Sequence, residues 1–193
     1  MPRRRKKPEA RIRIVAMLLM GAGLVVIGAA LSAIVLTRER PAAASADEPS
    51  VVPASVDFAA PALSLRNTSG NTESLADYRG RVVLVNNWAT WCPPCKAEMP
   101  TLQAYFEAHQ SEGLTVIGIE AGESAAQVRA FAESIGVTFP MWVDTETASL
   151  AAFHNGSLPN SYVIDRTGTV RLAWIGEISR SMLEKHVTPL LSE

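Results

Sequence analysis

Residues 83–100 read Val83-Leu-Val-Asn-Asn-Trp88-Ala-Thr-Trp91-Cys92-Pro93-Pro94-Cys95-Lys-Ala-Glu98-Met-Pro100. The run Arg81-Val-Val-Leu-Val-Asn86, entered after Gly80, is apolar and β-branched, which is the pattern of a buried strand. Pro93 and Pro94 suit a helix start, where a missing N–H costs nothing. Leu102, Tyr105 and Phe106 carry helical spacing on towards Gln110. Pro100 falls inside that pattern and is expected to kink or restart the helix. The two cysteines of the chain thus stand at a strand-to-helix junction, where one helical turn lets their sulfurs meet.

That junction has a chemical consequence. The unpaired N–H groups at a helix N-terminus stabilise negative charge. They lower a cysteine pKa from about 8.5 into a range of about 3.5–7.5. Cys92 is therefore the expected attacking thiolate, and Cys95, one turn deeper, the expected resolving thiol. A Cys-x-x-Cys is also half of a zinc site. Its other ligands would have to come from His109, His154 and His186, which are scattered. A purely structural disulfide is the other reading, but a two-residue loop is a poor staple, since longer loops stabilise more. The strand-helix context favours a redox-active dithiol, with no metal and no bound cofactor.

Outward from the junction, elements alternate. Leu114-Thr-Val-Ile-Gly-Ile-Glu120 reads as a second buried strand. Ser124-Ala-Ala-Gln127 has the capping-box form and opens a helix with Val128, Phe131, Ala132 and Ile135 on one face, ended by Gly136. A strand is expected over 139–144 and a short helix over 147–153. Ser161-Tyr-Val-Ile-Asp165, the turn Arg166-Thr-Gly168 and the run 169–175 read as a β-hairpin. Leu183, Val187, Leu190 and Leu191 mark one closing amphipathic helix. Such alternation predicts an α/β fold, with a central sheet, helices on both faces and right-handed crossovers.

The remaining sequence is organised differently. The net charge of the 193 residues is −1, but the first 13 residues hold seven cations and one acid, and the rest is acidic. That argues against a nucleic-acid-binding domain, which needs a basic face on its folded body. Two cysteines exclude a multi-disulfide scaffold. Residues 14–36 are 23 in number and carry no charge. At about 1.5 Å per residue they span a hydrocarbon core of about 30 Å. The basic block ahead of them places the N-terminus in the cytoplasm and the rest outside. Ala44-Ser45-Ala46 would suit signal cleavage, but the apolar run exceeds an ordinary signal core, so a retained anchor is expected. Residues 37–56 are Pro- and Ala-rich and read as a tether. Residues 57–193 are long enough for one core. The expected organisation is therefore 1–13 basic cytoplasmic segment, 14–36 transmembrane anchor, 37–56 linker and 57–193 catalytic domain.

At this point a resemblance emerges. The stretch 83–100 is similar to the active-site segment of thioredoxin-fold proteins, within the AhpC/TSA–redoxin-like superfamily. The likeness is greatest to the membrane-anchored ResA/TlpA group. Leu158-Pro159-Asn160-Ser-Tyr-Val-Ile-Asp165 resembles the group's second signature. Glu120-Ala-Gly-Glu123-Ser124 and Val137-Thr-Phe-Pro140-Met-Trp-Val-Asp144 resemble its extra helix and strand. The resemblance implies a thioredoxin fold with a mixed sheet and that helix-strand insertion. It implies that Pro159 is a cis-proline beside the dithiol and that Glu98 is the active-site acid. Glu98 also lies one helical turn past Cys95, where a buried carboxyl can exchange a proton with that thiol. Trp88, Trp91, Pro93, Pro94 and Leu158 are expected to pack around the sulfurs. Asn86 stands where plain thioredoxins carry a buried Asp, and Asn87 where the group usually has an aromatic.

The resemblance also implies a function. It points to a membrane-anchored, extracytoplasmic protein-disulfide reductase that acts on apocytochrome c or other exported proteins. A transmembrane electron carrier of the CcdA/DsbD kind would recharge it. Cys95 is followed by Lys96, so no haem-attachment motif of the CxxCH type is present. An oxidase or isomerase of exported disulfides would use the same cysteines. A thiol peroxidase would need a Thr or Ser in a different loop setting from Thr90. A binding module with an idle Cys-x-x-Cys would keep its activity after Cys92→Ser, whereas each enzyme would lose it.

Overall fold

The computed structural model describes residues 52–193. The segments expected over 1–13 and 14–36, and all but the end of the tether, lie outside the described residues. Among the described residues no helix is long and apolar enough to cross a membrane.

In chain order the elements are β1 (Ala54–Ala59), β2 (Ser64–Asn67), β3 (Thr72–Ser74), a 3₁₀ turn (Leu75–Tyr78) and β4 (Val82–Trp88). Then come α1 (Pro93–His109), a second 3₁₀ turn (Gln110–Glu112), β5 (Leu114–Ala121), α2 (Ala125–Ile135) and β6 (Met141–Asp144). The chain closes with α3 (Ala148–Ala152), β7 (Asn160–Ile164), β8 (Thr169–Ile175), α4 (Arg180–His186) and α5 (Thr188–Leu191). The strands form one mixed sheet in the order β1-β8-β7-β4-β5-β6-β2-β3. Only β4–β5 and β5–β6 are parallel; the other pairings are antiparallel.

The topology follows from the handedness of crossovers. Moving from β4 to β5 to β6 steps one way across the sheet, so right-handed connections place α1 and α2 on the same face. That face holds Val82, Leu84 and Trp88 of β4 with Met99, Leu102, Val128 and Leu183. The chain then returns across the sheet to β7, and α3 lies on the other face. There Val83 and Val85 pack with Ile117, Trp142, Phe153 and Tyr162. Period-two alternation along β4 therefore assigns Asn86 to the α1 face and Asn87 to the α3 face.

Every residue of β4 and β5 is buried, as central strands covered on both faces require. Gly118 of β5 reflects a close approach. A Cβ there would lie 2.6 Å from Met141 Sδ, 3.1 Å from the Phe139 ring and 3.2 Å from Trp88 Nε1.

Several sequence expectations change. The expected strand over 139–144 starts at Met141, and the expected helix over 147–153 narrows to Ala148–Ala152. The capping box at Ser124 and Gln127 forms as expected. The helix through Pro100 does not restart: α1 runs unbroken to His109 and forgoes only the bond that an N–H at position 100 would make. The single closing helix is instead two, because Pro189 cannot continue the bonding of α4 and sits in the first turn of α5. The strands β1, β2 and β3 have no counterpart in the sequence reading. β1 begins at Ala54, inside the segment read as tether, and is held by antiparallel pairing to β8. Its side chains are mostly exposed, so it lacks the alternation that marks a half-buried strand.

Candidate active site

The site lies where β4 ends and α1 begins. Cys92 is the N-cap of α1 in an extended conformation, and its Sγ accepts the Cys95 N–H at 3.4 Å. Pro93 and Pro94 fill the first turn, so the helix starts at the residue where charge on sulfur is best accommodated. The two cysteines form a disulfide with their Cα atoms 5.3 Å apart. Cys92 is 4% exposed and Cys95 is fully buried, which leaves the N-terminal sulfur as the one a partner can reach.

Glu98 is the second feature. It sits one turn past Cys95 and is fully buried on the sheet-facing side of α1. Its Oε1 accepts from Asn86 Nδ2 at 2.8 Å and its Oε2 from the Ile178 N–H at 3.1 Å. Burial pushes its carboxyl up to about 8; the two donors pull it down and the charge of Glu177 adds a smaller rise. A carboxyl that holds its proton near neutrality and stands one turn from Cys95 is poised for proton exchange. Asn86 also donates to Ser161 Oγ at 2.9 Å, which ties β4, α1 and β7 together behind the dithiol.

Pro159 is the third feature. The Leu158–Pro159 peptide bond is cis. Pro159 is buried, and its carbonyl accepts the Gly176 N–H at 2.8 Å, joining the loop to the end of β8. Asn87 explains itself here. Its amide donates to Asn160 Oδ1 at 2.7 Å and accepts from Ser149 Oγ at 2.6 Å. Asn160 in turn donates to the Ser157 carbonyl at 2.6 Å. An aromatic residue at position 87 could make none of these bonds; the asparagine fixes the loop that carries Pro159.

The expected packing residues separate into two sets. Leu158 is half-buried against the core on the α1 face. Trp88 is fully buried, with its ring 5.1 Å from Phe131. Trp91 is 67% exposed, and Pro93 and Pro94 are exposed as well. The reading of these three as packing groups is corrected: they form an apolar rim around Cys92, because the junction projects from the end of the sheet. Thr90 donates to Glu123 in the β5–α2 connection, and the Glu123 N–H donates to Glu120 Oε2 at 2.8 Å. Glu120 and Glu123 fall in a stretch that the sequence singled out as a family likeness, but their place at the site, like those of the Ile178 amide and Ser161, was missed from sequence. Ser161 lies inside the Leu158–Asp165 motif, but only the register of β4 with β7 pairs it with Asn86.

A mixed sheet with a Cys-x-x-Cys disulfide capping the helix after its central strand, beside a cis-proline loop, defines a thioredoxin-fold dithiol–disulfide protein. The comparisons agree. The chain belongs to the AhpC/TSA family, whose model matches residues 56–173. It is 34% identical to the thiol-disulfide oxidoreductase ResA of Geobacillus kaustophilus over 132 residues, covering 68% of this chain and 76% of that one. It is 34% identical to ResA of Bacillus subtilis over 128 residues, covering 66% and 72%. Among solved structures, a thiol:disulfide interchange protein of the thioredoxin family from Chlorobium tepidum aligns with a TM-score of 0.62 at 30% identity, covering 72% of this chain and 99% of that one. Fold, site and relatives together make the chain a thiol–disulfide oxidoreductase.

Proposed function

We propose that this oxidoreductase works as a membrane-anchored reductant of protein disulfides outside the cytoplasm. Cys92 attacks a substrate disulfide; one substrate sulfur joins Cys92 and the other leaves as thiolate. Cys95 then gives its proton to Glu98 in its ionised form and attacks the Cys92 sulfur, releasing the second substrate thiolate and closing the Cys92–Cys95 disulfide. The exposed rim of Trp91, Pro93 and Pro94 gives an apolar landing surface for a protein chain, and Pro159 would hold that chain extended.

The observation that carries the reducing direction is the buried Glu98 carboxyl one turn from Cys95. Once ionised, a carboxylate there disfavours a neighbouring thiolate, and a reduced form that is poorly stabilised makes a stronger reductant. The residues between the cysteines are prolines, with no cation to oppose that effect. The uncharged run 14–36 and the basic block before it support anchorage with the dithiol outside. Likeness to the ResA group supports apocytochrome c or other exported proteins as substrates, and a CcdA/DsbD-type membrane carrier as electron donor. Cys92, Cys95, Glu98 and Pro159 would carry the reaction without metal or cofactor.

The test is the reduction potential of the Cys92–Cys95 pair in the full chain, with Trp88 and Trp91 fluorescence as readout. A value near or below about −270 mV is expected. A value near about −120 mV, typical of a disulfide-forming oxidant, overturns the direction and leaves an oxidase or isomerase of exported proteins.

A further inference from the structure

We infer that Asn86 is a positioning residue that follows the proton on Glu98 by turning its amide over, with Ser161 serving both orientations. The inference deepens the proposed function and rests on Glu98 being the proton-handling group.

The hydrogen bonds around Asn86 are one-sided. Its Nδ2 donates to Glu98 Oε1 at 2.8 Å and to Ser161 Oγ at 2.9 Å. Its Oδ1 is buried with no partner among the described residues. Glu98 thus receives two donors, from Asn86 and from the Ile178 N–H. That set suits a carboxylate, which only accepts. A protonated carboxyl carries a hydrogen of its own, and on Oε1 that hydrogen would face the Asn86 amide hydrogens, donor against donor. The Ile178 N–H belongs to the backbone and cannot reverse its role.

Asn86 can. The two ends of an amide are nearly the same size, so rotation about its last bond needs no extra room in the core. With Oδ1 forward, it accepts from Glu98 Oε1–H and from the Ser161 hydroxyl, which both donates and accepts. The number of bonds is the same in each orientation, and only the unpartnered end changes. An ionised Asp at this position could not donate to the carboxylate, and an aliphatic residue could do neither. An asparagine backed by a serine lets a buried carboxyl gain and lose a proton without losing its partner. The charged group that acts on Glu98 from the β8–α4 connection is Glu177. Cys95 on α1 and Cys92 at its start are the other titratable groups of the site once the disulfide is reduced.

The experiment uses the full chain in detergent, reduced and oxidised, with 15N in the asparagine amides and 13C at the glutamate carboxyls, followed by NMR from pH 5 to 10. The expected result is that the Asn86 Nδ2 resonances move with the same midpoint as the Glu98 carboxyl carbon. Asn87 and Asn160, equally buried, should stay still. Titration of Glu98 with Asn86 unmoved overturns the inference alone. A Glu98 carbon that never moves in either redox form overturns both the inference and the proton role of Glu98. As a second arm, Asn86→Asp should raise the Glu98 midpoint by at least about one pH unit, since a carboxylate replaces the donor; an unchanged midpoint overturns the inference.

Discussion

At the scale of single residues, the chemistry depends on how differently two neighbouring groups meet water. Cys92 keeps 4% of its surface open at the mouth of the junction, while Glu98 gives up all hydration for two hydrogen bonds. Burial of that carboxyl has a consequence for stability with a definite sign. Glu98 ionises at about 8 in the folded chain against an ordinary 4.5. Between those values the unfolded chain has lost a proton that the folded chain keeps. Stability therefore falls as pH rises through that window and levels off above it. The slope from this one group is at most about 1.4 kcal/mol per pH unit. Glu98→Gln should remove it in the oxidised protein, as read by denaturant unfolding at a series of pH values. Glu120, raised to about 7 by burial, acts in the same sense and should leave a residual slope in the variant that ends near 7. An undiminished slope up to 8 in Glu98→Gln would show that Glu98 is ionised well below that pH.

At the scale of elements, β4 and β5 form the platform on which the junction rests, and their packing leaves no slack. Gly118 is the tightest point: the Trp88 indole, the Phe139 ring and Met141 close over it. The Met141 side chain can swing aside, but two rings cannot both retreat from a close-packed layer. Gly118→Ala should destabilise the fold by about 1–3 kcal/mol, the usual cost of overpacking. The shift should appear as a lower denaturant midpoint at unchanged slope. A change below about 0.5 kcal/mol would show that the layer can open. Asn87 works on the opposite face, where Ser149 and Asn160 anchor the Pro159 loop to β4. One strand thus positions both halves of the site, its even residues behind the dithiol and its odd residues behind the proline.

At the scale of the whole molecule, the proposed anchor would confine the dithiol to one side of a membrane. The full chain should stay with membranes after high-salt washing and leave only with detergent, because a run of 23 uncharged residues inserts by hydrophobic transfer rather than by surface charge. A chain lacking residues 1–36 should appear in the soluble fraction. Full-length protein in the soluble fraction, or a mature N-terminus just after Ala46, would identify the segment as a cleaved signal instead.

What could be read in advance depended on how local the cause was. The sequence by itself determined the central strands, the helix start at Pro93, the capping box at Ser124, the β7–β8 hairpin and the pairing of Cys92 with Cys95. Each rests on residues within a turn or a strand of one another. β1, β2 and β3 left no such trace, because short strands at the margins of the sheet form through their partners rather than through their own pattern. Only the tertiary structure decided that Trp91 faces solvent, that Asn87 serves the proline loop, and that Glu98 meets Asn86 and Ile178. Those contacts join residues 12 to 80 positions apart, and they exist because strand register and crossover handedness bring distant side chains to one point.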